Sequence, residues 1–289
     1  MPGDAVTAMV TPDAPTSREA LEQMRATLGL DKPWPVRYFI WLGQLLHGNM
    51  GYSYIDFQPI AKTIVSRLPA TLELMGTSLS LSIVIGLMLG VISALKQYSA
   101  LDFSLTILGF VGQSIPIFFM GLAVIYIFSL RLAWLPVSGI ATPGAPLSIV
   151  DNLRHLVLPM LSLSIFRITV FMRYTRSSFL EVLQNEYLLV ARAKGVSERR
   201  LVLHHAARNA LIPIITVIGL NVPVLFAGAV IIETVFQWPG IGLLYITAVG
   251  QRNHPLIMGL ALMSALVVFA SNFVVDVTYS FVDPRIRYD

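Results

Sequence analysis

The chain has 289 residues, of which 55% are apolar or aromatic and only 12% charged. A soluble domain carries about 25% charged residues, so this composition excludes a disordered chain, a collagen-like chain and nearly every soluble enzyme. The formal net charge of +4 reads as Lys and Arg gathered on cytoplasmic loops rather than as a nucleic-acid footprint, and with no Cys there is no disulfide framework, thiolate zinc site or thiol nucleophile.

Residues 1–68 are mixed and polar, with Pro2, Pro12, Pro15, Pro33, Pro35 and Pro59 and with six basic and six acidic side chains. Short helical patches are expected at 17–28 and 36–46, and neither is an apolar run that could span a bilayer. The opening Met1-Pro2-Gly3-Asp4 has neither the basic start nor the apolar core of a secretory signal.

Five long apolar segments follow, each near the 20 or so residues that a helical span requires. They are 74–95, 103–130 (kinked at Pro116), 155–172 (apolar except for Arg167), 209–232 (with Pro213 and Pro223) and 255–275. None shows the alternation of a barrel strand. The expected fold is therefore an all-α integral membrane protein with five transmembrane helices. Residues 1–68 form an outward-facing segment, and 69–289 form the membrane domain with a basic helical loop at 173–208.

That loop carries seven basic residues against three acidic ones. The positive-inside rule puts it in the cytoplasm with the C-terminal tail, Asp283 to Asp289, and turns 1–68, 131–154 and 233–254 outward. Five spans then leave the basic residues of 1–68 to be translocated without a preceding helix, which points to one further helix upstream. Within the loop, 181–194 fits one amphipathic helix with Val182, Leu183, Tyr187, Val190, Ala191 and Lys194 near one face. Gly195 suits its C-cap, and Ser197 with Glu198 suits the start of the next helix. The loop is thus a folded cytoplasmic knob.

The run Glu186-Tyr187-Leu188-Leu189-Val190-Ala191-Arg192-Ala193-Lys194-Gly195, followed by Arg208-Asn209-Ala210-Leu211-Ile212-Pro213, resembles the signature loop of ABC importer permeases. It is most similar to the dipeptide, oligopeptide and nickel branch. Further stretches resemble that branch in order: Gly48-Asn49-Met50-Gly51-Tyr52-Ser53, Arg67-Leu68-Pro69-Ala70-Thr71-Leu72-Glu73-Leu74, Glu233-Thr234-Val235-Phe236 with Trp238-Pro239-Gly240, and Asn272, Asp276, Tyr279 with Asp283-Pro284-Arg285. The resemblance implies a sixth helix ahead of the Pro-Gly-Asp turn, where this chain begins. It also implies a bacterial inner-membrane location with a cytoplasmic C-terminus, and alternating access driven by partners. Those partners are a second homologous permease, two cytoplasmic ATPases docked on Glu186, Tyr187, Ala191, Arg192, Ala193, Lys194 and Gly195, and an extracytoplasmic solute-binding protein, all around a lipid bilayer and without nucleic acid. The cargo is peptides or a related small solute, nickel complexes included. The chain departs from the family at Leu189-Val190-Ala191, where the generic signature opens Glu-Ala-Ala, and at Arg252-Asn253-His254-Pro255.

Arg167, Asn221 and Glu233 are the candidates for the substrate path. An Arg at a helix centre costs about 2.5–3.5 kcal/mol on insertion scales, so Arg167 should face the bundle interior or water, either in the substrate path or gate or else snorkelling or paired structurally. Glu233 falls at the outer mouth. Asn272 and Asp276, four apart, can share a polar helix-packing face with Tyr279, and Gly86 with Gly90 forms a close-packing pair. No phosphate-binding Gly-rich loop, zinc-binding His pair or nucleophile elbow is present, so no catalytic residue, cofactor or metal is expected. Power must come from a partner. A self-contained secondary transporter, the alternative, would need inverted repeats and mid-membrane acids, which the sequence does not display.

Overall fold

The computed structural model describes residues 31–146 and 148–282, with isolated positions 19, 22, 23 and 26. The patch expected at 17–28, the tail from Asp283 and the side chains of Asp276 and Tyr279 lie outside the described residues. Regular structure among the described residues is helical, apart from one antiparallel bridge between Tyr52 and Pro59.

Helix α1 is Trp34–Leu46, the second of the two expected short patches, and α2 is Ile60–Leu95. The latter begins well before the apolar run at 74. Pro59 stands at its N-cap, and Lys62 and Arg67 interrupt the hydropathy but not the helix. At 1.5 Å per residue the 36 residues reach about 54 Å, beyond the roughly 30 Å of hydrocarbon. The extra turns are anchored by Ile60 and Ile64, both fully buried in a cluster with Ile241, Ala248, Leu256 and Leu260.

The expected span 103–130 is broken. Helix α3, Ala100–Ser114, ends at Ile115, which takes an extended backbone, and Pro116 then stands at the N-cap of α4, Ile117–Val124. The pyrrolidine ring pushes the preceding residue out of the helical region, and here the result is a turn of 102° rather than a kink. A π-helical turn, Ile125–Arg131, completes the second arm.

Helix α5, Ile149–Leu183, is the central element and packs most extensively against α2. The seam is a stripe of small residues on α2: Ser78, Ser82, Gly86 and Gly90 are all buried. A Cβ on Gly86 would lie 2.7 Å from that of Phe171, and one on Gly90 only 2.5 Å from that of Thr175. The Gly-xxx-Gly pair therefore sets how closely the two backbones approach, and Ser164 Oγ donates across the seam to the Ser78 carbonyl at 3.1 Å.

Beyond α5 come α6, Glu186–Ala193, the single turn α7, Glu198–Arg200, and a second π-helical turn, Leu201–Ala206. Helix α8, Ala207–Phe236, contains Pro213 and Pro223 and bends by 54° near the first. Helix α9, Ile241–Gly250, turns back at 72° from the end of α8, and α10 is His254–Val282. Three helices are long and apolar enough to cross a membrane alone, and three bent pairs become so when each pair is joined. Of the five expected spans, 74–95, 155–172 and 255–275 fall on the three unbroken helices, 103–130 on the first bent pair, and 209–232 across the other two.

Candidate functional site

The knob is built differently from the single helix expected at 181–194. Residues 181–183 belong to α5, the helix breaks at Gln184 and Asn185, and α6 starts afresh with Asn185 in extended conformation at its N-cap. Asn is among the best residues for that position, and this was the overlooked signal. The restart rotates the face. On α6 only Leu188 is buried, at 1% exposure, among Phe179, Val182, Leu201, Val202, Ala206, Ala210 and Ala94. Val190 and Tyr187, assigned to the buried face, are 53% and 40% exposed.

Gly195 adopts φ +79° and closes α6 as expected. Its N–H reaches the Arg192 carbonyl at 3.0 Å, and that of Val196 reaches the Ala191 carbonyl at 3.3 Å, the paired bonds of a Schellman cap. Ser197 occupies the next N-cap without a side-chain cap bond. Glu198 instead receives Arg192 through Nε at 2.6 Å and Nη2 at 3.1 Å, which raises the Arg192 pKa further. Asn209 Nδ2 donates to the Tyr187 hydroxyl at 2.8 Å, tying α6 to the root of α8. Of the seven expected docking residues, Ala191 is half-buried and Glu186, Tyr187, Arg192, Ala193, Lys194 and Gly195 are exposed.

The three path candidates separate into two places. Arg167 on α5 is 5% exposed, and its guanidinium donates through Nη1 to Asn221 Oδ1 on α8. The Asn221 amide in turn donates to the Val217 carbonyl at 2.7 Å, and Arg167 lies 5.5 Å from the Phe166 ring centroid. The two residues of this bond line different clefts along the α5–α8 seam. One, of about 380 Å³, fills the elbow at Pro116 and includes Gln113, Ser162, Arg167 and Val224 in its wall. The other, of about 360 Å³ and nearer the knob, is lined by Val170, Arg173, Tyr174, Val217, Leu220 and Asn221.

Glu233 lines neither cleft. It is fully buried at the α8–α9 corner. Thr71 Oγ1 donates to Oε1 at 2.7 Å, and the N–H groups of Gly242 and Leu243 donate to Oε2 at 2.7 and 3.1 Å. The carboxylate therefore caps the N-terminus of α9, where negative charge is favoured. Ile241 N–H donates to Thr71 Oγ1 at 2.8 Å, and the Trp238 indole to the Ala70 carbonyl at 2.8 Å. Trp238 and Thr71 belong to the family-like stretches read from the sequence, which assigned them no role; their bonds join residues 168 and 162 positions distant, to Ala70 and Glu233 respectively.

Towards the C-terminal end of α5, Arg176 forks onto Asp102 at 2.8 and 2.7 Å, and Ser93 donates to the same carboxylate. Arg176 had been placed in the basic loop; in the structure it is helical and pins the α2–α3 corner to α5. Among the described residues no group of His, Asp and Glu is arranged to hold a metal ion.

Long apolar helices, a folded knob between two of them and clefts along the same pair are the architecture of a multi-pass membrane subunit. The chain belongs to the family described as binding-protein-dependent transport system inner membrane component, whose model matches residues 86–288. A model for the N-terminal part of such membrane components matches residues 1–75. The chain is 40% identical over 288 residues to the oligopeptide transport system permease protein AppB of Bacillus subtilis, covering 99% of this chain and 90% of AppB. It is 40% identical over 309 residues to the di/tripeptide transport system permease protein DppB of Pseudomonas aeruginosa, covering 100% and 91%. Among solved structures, the MetNI methionine ABC transporter in its inward-facing conformation superposes with a TM-score of 0.64 at 16% identity, over 78% of this chain and 99% of the matched one. That likeness establishes the fold.

Proposed function

We propose that the chain is the conducting subunit of an ATP-driven importer for peptides or a closely related small solute, working by alternating access. The observation that carries this reading is the knob. Leu188 seats α6 in a core shared with α2, α5 and α8, so a force on α6 is transmitted to the helices that wall the clefts, while its polar face stays open to a partner. In this reading two cytoplasmic ATPases dock on Glu186, Tyr187, Ala191, Arg192, Ala193, Lys194 and Gly195, a second permease completes the pore, and a solute-binding protein delivers cargo on the other side. The C-terminus and 173–208 are cytoplasmic and 1–68 faces outward. The peptide cargo is supported by the named substrates of the two relatives, and the path runs through the Arg167–Asn221 seam. Glu233 serves it indirectly, by fixing the α8–α9 corner.

The test is charge reversal at the exposed tip, Arg192→Glu with Lys194→Glu, in the complete importer reconstituted in proteoliposomes. Uptake driven by ATP should fall by about tenfold or more, while the amount of inserted chain is unchanged. Normal uptake together with normal co-purification of the ATPases would overturn the docking assignment.

A further inference from the structure

The three buried charged side chains among the described residues, Asp102, Arg167 and Glu233, are provided for unequally. Asp102 meets a guanidinium in a two-on-two fork, and Glu233 accepts from a hydroxyl and two backbone N–H groups. Arg167 carries five donors in a planar fork, yet its hydrogen-bond partner among the described residues is one neutral amide oxygen, and no described carboxylate forms an ion pair with it. Its position is also particular. Arg167 is in the wall of the elbow cleft, Asn221 is in the wall of the next, and the bond between them joins the two walls.

An amide oxygen is a neutral substitute for a carboxylate oxygen: it accepts one of the fork's hydrogen bonds and leaves the charge unmatched. A carboxylate entering the elbow cleft would accept two, with opposite charge, in surroundings of low dielectric where such pairs are strongest. It would draw the guanidinium from Asn221 and so break the bond that joins the two walls. The cleft volume of about 380 Å³ is in the range of about 300–1,000 Å³ common to small-molecule sites, and Gln113 in the same wall offers a polar group to peptide amides.

We infer that Arg167 is the residue that recognises the C-terminal carboxylate of a conducted peptide, with Asn221 holding the guanidinium across the seam until that carboxylate displaces it. This rests on the peptide-importer reading and adds to it a named point of contact.

The chain has no cysteine, so Val224→Cys, at a cleft wall residue 52% exposed, places a single thiol on this subunit. The assembled importer carrying it, first checked for ATP-driven uptake, is labelled with a neutral maleimide without ATP or binding protein. Labelling is followed against increasing alanyl-alanine or its C-terminal amide. The free acid should protect the thiol at a concentration about tenfold lower than the amide does, because a site built around a charged hydrogen-bonding group rejects the analogue lacking it. Arg167→Gln should abolish the preference, and Arg167→Lys should keep part of it. Asn221→Ala, by removing the internal competitor, should lower the acid's half-protecting concentration. No protection by the acid, equal protection by acid and amide, or a preference that survives Arg167→Gln or is unmoved in both Arg167→Lys and Asn221→Ala, would overturn the assignment. Since labelling needs neither ATP nor binding protein, such a failure leaves the importer reading standing, whereas loss of ATP dependence in the uptake check counts against that reading instead.

Discussion

Two short helices lean on opposite ends of α8 and are held by opposite means. At one end α9 is fixed by a buried polar network: the Glu233 carboxylate with Thr71, Gly242 and Leu243, and the Trp238 indole on the Ala70 carbonyl. Each of these bonds is directional and shielded from water, so the corner has one geometry. At the other end α6 is fixed by burial of a single side chain, Leu188, and its polar contacts, Arg192 with Glu198 and Tyr187 with Asn209, lie on the surface. Apolar burial is non-directional; it fastens the helix while leaving its remaining faces uncommitted. The corner is closed on itself, and the knob leaves its remaining faces open.

The sharpest way to break that contrast is at the corner. Glu233→Ala strips the acceptor from Thr71, Gly242 and Leu243 and leaves buried donors unpaired, a loss of about 3–5 kcal/mol. Thermal unfolding of the purified protein should show it as a large fall in midpoint with poor insertion, and Glu233→Gln should recover part by keeping one acceptor. A Glu233→Ala variant as stable as the parent would show that the network does not hold α9. The counterpart at the knob is Leu188→Ala, which empties a site in the apolar cluster at a cost of about 3 kcal/mol. Because α6 has no other buried side chain, that cost should appear as local loosening. Proteolysis between α5 and α8 should accelerate, and ATP-driven uptake should fall while the rest of the chain stays inserted.

How much of this was legible beforehand follows from what hydropathy measures. It reports compatibility with lipid, so the five apolar cores were visible and the ends of their helices were not. The polar first turns of α2, held by Ile60 and Ile64, look like loop to a hydropathy scan. Pro116 was seen as a kink, but the size of the turn depends on what the elbow packs against, and α5 and α8 supply that only in three dimensions. The knob was recognised from its residue order, yet its buried face was misassigned, because a periodicity drawn through Gln184 and Asn185 ignores the restart at Glu186. Arg167 stood out as a charge in an apolar run. Its partner Asn221 lies 54 positions on, beyond the reach of local spacing, and so does the Thr71 that gives Glu233 its buried role. Gly86 and Gly90 were only a pattern until the 2.5 Å approach at Thr175 gave them a reason.

The mildest change tests the other half of the contrast, that the tip of the knob is free. Gly195 has φ +79°, and a Cβ built there meets no heavy atom within 4 Å. Substitution therefore costs the strain of a left-handed backbone, about 1 kcal/mol, and no clash. Asp is among the residues that tolerate that conformation, so Gly195→Asp should fold, insert and unfold close to the parent temperature. What it changes is charge, placing a carboxylate beside Lys194 on the face proposed to meet the ATPase. Uptake should drop severely with Asp and little with Ala, which shares the strain without the charge. Equal loss with both would mean that the close fit of the cap, rather than its electrostatics, is what the partner reads. Full uptake with both would remove the tip from the docking surface and leave Leu188 as the support of a helix that touches nothing.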